Sequence, residues 1–125
     1  MAKQLNILLK NEGLSSENLF IDPTVSSIGY GIEYSYSIIE RIKIACLNQN
    51  DIDLQVPIIC NIARESWKVK ESNELQDLNW GNDETRGILW EAMSATTLIT
   101  AGADVVVMLN PKSIKLVNDL IKEIK

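Results

Sequence analysis

Three short apolar runs constrain this chain more than anything else in it: Leu19 to Asp22, Val56 to Ile62 and Asp104 to Leu109. Each is separated from the next by a stretch too long for a hairpin and patterned for a helix. Neighbouring strands joined by helices of that length run parallel, with right-handed crossovers. The second and third runs are almost continuously apolar rather than alternating, as expected for strands covered on both faces.

The helices follow from periodicity. Leu5, Leu8 and Leu9 recur at three and four residues over Ala2 to about Asn11, giving a leading helix that stops near Gly13. Pro23 ends the first strand, leaving Asp22 and Thr24 at its carboxyl end. A second helix is predicted from about Gly31 to Leu47, burying Ile32, Tyr36, Ile38, Ile39, Ile42 and Cys46, before a polar turn over Asn48 to Asp53. Pro57 is tolerable only at the start of its strand. Ala63 to about Glu74 reads as helix, and Asp77 to Asn82 as a long exposed loop. Asn82 or Asp83 caps a helix from Glu84 to Ala101, whose predicted inner face is Ile88, Leu89, Ala92, Met93, Thr96 and Ile99; Gly102 ends it. Asn110 is the expected N-cap of the last helix, with Pro111 at its first position.

The sum is a leading helix and three parallel strand–helix units in one domain, residues 1–125. The unit length suits a (β/α) barrel, yet three strands cannot close one and leave two edges open. Three readings stand: a partial TIM barrel completed by another chain or an oligomer, a small open sheet, or a subunit whose edges a partner covers.

Composition narrows the chemistry. A net charge of −5, with 12 Lys and Arg against 17 Asp and Glu, argues against a nucleic-acid partner, which needs clustered cations. No apolar run approaches a membrane span, so the expected location is cytoplasmic. There is no histidine, which removes histidine-based zinc sites, Ser-His-Asp and Cys-His catalysis, and any site in which a protein histidine ligates cobalt. Cys46 and Cys60, with no second cysteine at metal-ligand spacing, read as small core residues.

Asp22, Thr24, Asn61 and Asn110 lie at or just past the carboxyl ends of the three runs, where parallel α/β folds meet their ligands. Such groups can hold the polar edge of a ligand or an amide-rich cofactor. Asp22 and Asn110 are equally explained as caps of a turn and a helix, whereas Asn61 ends an apolar strand and needs a partner. Val25 to Gly31 reads as a backbone-presenting loop, without the spacing of a nucleotide-binding one. Tyr30, Tyr34 and Tyr36 either line a ligand surface or pack the helix. Trp80, a large indole in a polar loop, reads as a contact residue.

At three stretches the sequence resembles a known family. Phe20-Ile21-Asp22-Pro23-Thr24 leading to Gly29-Tyr30-Gly31-Ile32-Glu33-Tyr34 and Ile39-Glu40-Arg41-Ile42 is the first. Trp80-Gly81 followed by Glu84-Thr85-Arg86-Gly87-Ile88-Leu89-Trp90-Glu91 is the second, and Ala101-Gly102-Ala103-Asp104 leading to Met108-Leu109-Asn110-Pro111 the third. In this order, over about residues 5 to 120, they resemble the delta (small) subunit of the corrinoid iron–sulfur protein of the acetyl-CoA decarbonylase/synthase complex. The resemblance implies a TIM barrel related to pterin-binding methyltransferases. It also implies a corrinoid (cobamide) at the carboxyl rim, shared with a larger subunit that carries an iron–sulfur cluster. Methyl groups would pass from a methylated tetrahydropterin through the corrinoid cobalt to the acetyl-CoA synthase subunit.

Rim placement and resemblance together give the cofactor-binding residues expected here: Asp22, Thr24, Gly29, Tyr30, Asn61 and Asn110, with no catalytic residue, metal ligand or cluster on this chain. Family members are far longer, so the chain corresponds to their C-terminal barrel portion. The expected role is a methyl-carrier or scaffold subunit. The alternatives are a pterin-binding methyltransferase fragment, with Asp22 and Asn61 on the pterin ring, and a purely structural truncated barrel that survives by dimerising or by pairing its strand edges with another chain.

Overall fold

The computed structural model describes residues 1–73 and 78–125. The expectations placed on Glu74, at the end of the third helical segment, and on Asp77, at the start of the long loop, lie outside the described residues.

The chain is α/β, mostly helical, around a small parallel sheet. The helices are α1 (Ala2–Asn11), α2 (Ile32–Asn48), α3 (Ala63–Trp67), α4 (Lys70–Asn73), α5 (Asp83–Ala101) and α6 (Pro111–Ile124); the strands are β1 (Ile59–Asn61) and β2 (Val105–Val107). β1 and β2 pair in parallel with Ile59 opposite Val105 and Asn61 opposite Val107. On the other side of β1, Ile21 forms a single parallel bridge to Ile58, its N–H donating to Pro57 O and its carbonyl accepting from Ile59 N. All three expected runs are therefore adjacent and aligned the same way, in sequence order.

The ladder is shorter than the apolar runs. Pro57 and Pro23 lack the N–H that would extend it beside the Ile21 bridge. Ile58 N, just outside β1, donates instead to Asp104 Oδ2 at 2.9 Å, which also accepts from Lys43 at 2.7 Å.

Side chains alternate across the sheet. Ile21, Ile58, Cys60 and Ile62 are buried against α2 and α5 with Ile39, Ala92, Ala95 and Leu98, and Val106 and Met108 pack on the same core. Phe20, Asp22, Asn61, Val105, Val107 and Leu109 face the other way and are exposed. This corrects the expectation of strands covered on both faces: among the described residues the helices form one layer, and the second face is bare.

Helix α5 corrects a second expectation. Its inner face is Gly87, Ile88, Glu91, Ala92, Ser94, Ala95, Leu98 and Ala101, while Leu89 and Met93 are exposed beside α6. Small side chains bury here because the helix lies close to its neighbours. A Cβ on Gly87 would stand 2.4 Å from the Trp67 ring, so only glycine admits that indole. The segment read as one helix from Ala63 is two short ones. The break is tied by Ser72 Oγ to Ser66 O at 2.7 Å, and by the Asn73 amide to Val69 O at 3.0 Å and to Trp67 O. Both predicted caps hold: Asn82 accepts from Thr85 N and Asn110 from Lys112 N.

Candidate functional site at the carboxyl end of the sheet

Parallel alignment brings Asp22, Asn61 and Asn110 to the same end of the sheet, but their side chains serve different surroundings. Asp22 Oδ1 accepts from Thr24 N at 2.9 Å, closing a turn in which Thr24 has φ +56°. Asp22 and Thr24, both exposed, line a groove of about 430 Å³ with Phe20 and with apolar residues of α1 and α2. Asn110 spends its carbonyl oxygen on the α6 cap, 2.9 Å from Lys112 N. The capping roles foreseen for Asp22 and Asn110 are thus real.

Asn61 is different. Its exposed amide ends β1 on the bare face and opens onto a cleft of about 490 Å³ floored by Val107, Met108 and Leu109 and walled by Arg64, Trp67 and Lys68. The Trp67 Nε1 is buried with no hydrogen-bond partner. Lys68 leans on Glu65 at 2.5 Å. A strand-end amide, an indole and apolar strand residues converge in one open cleft.

Gly29 and Tyr30 occupy a neighbouring loop. Gly29, at φ +79°, brings the backbone against Trp90, and the exposed Tyr30 hydroxyl donates to Glu71 Oε2 at 2.8 Å. The loop does not present its backbone as freely as expected: Ser26 N donates to Ser35 Oγ and Ile28 N to Ser94 Oγ, both at 3.2 Å. Those inward bonds fix the loop's course on α2 and α5. Of the tyrosines, Tyr36 packs on the core while Tyr30 and Tyr34 are exposed. Trp80 is also exposed.

Sequence reasoning passed over Glu91, quoted above only as part of a motif. Its carboxylate is fully buried and accepts from Leu109 N at 2.5 Å and Asn110 N at 3.0 Å. A buried carboxylate is stable only when hydrogen-bonded, and here both oxygens take main-chain donors just beyond β2. Glu91 therefore holds the rim that carries Leu109 and Asn110. A Glu on a helix face otherwise lined by small and apolar residues was the available signal.

Cys60 lies on the helix-covered face of β1, where burial, with the negative charges of Asp22 and Asp104 adding to it, pushes its thiol up to about 11. It stays protonated near neutrality, in keeping with a core role.

A model of the family described as CO dehydrogenase/acetyl-CoA synthase delta subunit matches residues 1–122. The chain belongs to that family. The acetyl-CoA decarbonylase/synthase complex subunit delta of Methanopyrus kandleri is 39% identical over 117 residues, 94% of this chain and 28% of the relative. That of Methanothermobacter thermautotrophicus is 37% identical over 120 residues, 96% of this chain and 30% of the relative. The Archaeoglobus fulgidus subunit delta is 36% identical over 124 residues, 94% and 27% of the two. The chain thus spans under a third of the length of these delta subunits. No helix among the described residues is long and apolar enough to cross a membrane.

Proposed function

We propose that this chain is a delta-type component of an acetyl-CoA decarbonylase/synthase complex, contributing part of a (β/α) barrel and one rim of a corrinoid site rather than acid–base chemistry. The observation that carries the reading is the cleft at Asn61, set at the carboxyl end of aligned parallel strands in a chain of the delta family.

The donor set suits an amide-rich ring. Asn61 offers a donor and an acceptor, Thr24 offers a hydroxyl, and Tyr30 brings a phenol whose proton goes to Glu71. Asp22, Gly29 and Asn110 complete the set, Gly29 by close backbone approach and Asn110 through the donor half of its amide. A corrinoid, when bound, supplies the methyl-carrying chemistry. This chain's residues would hold its edge, and Val107 and Leu109 would exclude water beside it. The chain has no histidine and so offers a cobalt no imidazole. The remaining partners are a larger iron–sulfur subunit, which shares the corrinoid, and the acetyl-CoA synthase subunit, which exchanges the methyl group.

Titration of the chain together with the larger subunit against cobalamin tests this. The expected result is a shift in corrin absorbance that neither protein gives alone, weakened at least tenfold by Asn61→Ala. An unchanged spectrum, or an Asn61→Ala titration identical to wild type, rejects it.

A further inference from the structure

Helices α5 and α6 lie side by side and run the same way. Lys112 reaches Glu84 at 2.9 Å and Ser113 Oγ donates to Ile88 O at 3.0 Å, and further along Leu116 and Leu120 share a groove with Met93 and Thr96. That groove, on the side of the helical layer away from the sheet, measures about 570 Å³ and is floored by the buried Ala92 and Val117. Its rims are Leu89, Met93, Leu116 and Leu120, each between 37% and 47% exposed. Thr96 and Thr97 spend their hydroxyls on their own helix, donating to Ala92 O and Met93 O at 2.8 Å. They add carbon surface and no unmet polar group. A contiguous apolar surface of this kind marks an interaction site.

The charges beside the groove indicate its occupant. Lys112, Lys115, Asp119 and Glu123 follow one another at three and four residues along the exposed stripe next to Leu116 and Leu120. Cations come first and anions last, the reverse of what the helix's own dipole favours, and Lys115 before Asp119 is the weaker order for a pair four apart. An order that is poor within one helix is favourable against a second copy of that helix laid antiparallel. We propose that the α5–α6 groove is the interface of a homodimer, in which a two-fold axis between Leu116 and Leu120 seats the α6 ridge of each copy in the groove of the other. Alignment about that axis brings Lys112 and Lys115 of one copy alongside Glu123 and Asp119 of the other, twice over. A helix from a different protein would need this same charge order; the chain already carries it. The four side chains cancel, so the net charge of −5 on each copy lies away from the interface and is damped by salt. The result is an apolar centre with a charged margin. Because the groove is on the far side of the helical layer from the bare face of the sheet, the dimer leaves the Asn61 cleft open, and the inference stands apart from the corrinoid reading.

Sedimentation of the full chain over a dilution series tests this. A monomer–dimer equilibrium is expected, with a dissociation constant raised at least tenfold by Leu116→Lys. Two charge variants read contact between copies: one carries Asp119→Lys and Glu123→Lys, the other Lys112→Glu and Lys115→Glu, all at exposed positions. Each alone sets like charges against each other and should dimerise at least tenfold more weakly; mixed one to one, they should associate to within about threefold of wild type or more tightly. Leu8→Lys, on exposed α1, should leave the equilibrium unchanged. A wild-type chain that stays monomeric up to roughly 100 μM overturns the inference. So does a dimer that Leu116→Lys leaves intact, or a mixture of the two charge variants that stays as weak as either alone.

Discussion

Two faces of one small sheet are built from similar side chains and treated differently. On the helix side Ile58, Cys60 and Ile62 are wholly buried; on the other side Phe20 is 56% exposed and Leu109 63% exposed. Strands bounded by solvent on one face ordinarily alternate apolar with polar residues. Here the bare face keeps Phe20, Ile59, Val105, Val107 and Leu109, and turns polar at Asp22 and Asn61. That is the composition of a face meant to be covered, with its polar groups gathered at one end. The difference teaches which face the chain's own folding energy comes from: the helix-covered one.

The sharpest way to break this comparison is to truncate one residue on each face. Ile58→Ala empties a fully buried position between sheet and helices and should cost about 2 to 5 kcal/mol, by lost transfer energy and the cavity left. Val107→Ser, one strand over on the bare face, should change stability by under about 0.5 kcal/mol, as surface substitutions do. Urea unfolding of both variants measures the contrast. A comparable loss from Val107→Ser would mean the bare face is already covered in solution, as in a homodimer.

The contrast also explains which features were legible in the sequence. Strand order, direction and the polar ends were readable because Pro23, Pro57 and the uninterrupted apolar runs act locally. The helix caps at Asn82 and Asn110 were readable for the same reason. What escaped depends on close approach between distant segments. Leu89 and Met93 were expected inside α5, but Gly87, Ser94 and Ala95 are there, because a helix pressed against Trp67 and the sheet has no room for larger groups. The pair of hydrogen bonds that Glu91 accepts from the strand end escaped too, since a carboxylate on an inner face is unfavourable until its partners, eighteen and nineteen residues away, are known. Of the site, the rim placement was legible. Its division between the groove of Asp22 and Thr24 and the cleft of Asn61 was not, because that depends on how α1 and α3 flank the sheet.

Glu91 tests whether the two faces communicate. It stands in the covered layer yet fixes the backbone at the mouth of the bare one. Glu91→Gln retains one acceptor oxygen and puts an amide donor against a second main-chain N–H, so a charge-assisted bond is lost and a buried donor is left unpaired. The expected cost is roughly 2 to 3 kcal/mol. Amide exchange should locate the damage: Leu109 and Asn110 should lose protection by more than the global destabilisation accounts for, while Ile39 should follow the global value. Uniform loss across the chain would make Glu91 an ordinary core residue.

The smallest effect is expected at α1, which is held beside the sheet largely by polar ties. Lys3 Nζ bonds Asp51 at 2.7 Å, Lys10 bonds Asp53 at 2.9 Å, and the Asn6 amide donates to Asp53 O at 2.8 Å. The hydrogen bond from Lys3 is the main influence holding the Asp51 carboxyl below its usual value of 3.8, and the same bond raises Lys3 above 10.5. A depressed carboxyl contributes stability above its unfolded value and loses it as pH falls through the folded one. The contribution from Asp51 should therefore be intact at neutral pH and vanish only below about pH 4. That from Lys3 should be present at neutral pH and vanish only as pH rises past its raised value. Lys3 is about half exposed and the pair lies at the surface, so salt should mute the effect. Exchange of the α1 amides across this acid range should respond in wild type and be flat in Asp51→Asn, with Ile58 and its neighbours unaffected in both. An acid response of equal size in the sheet amides would show that α1 belongs to the cooperative core rather than resting on its edge.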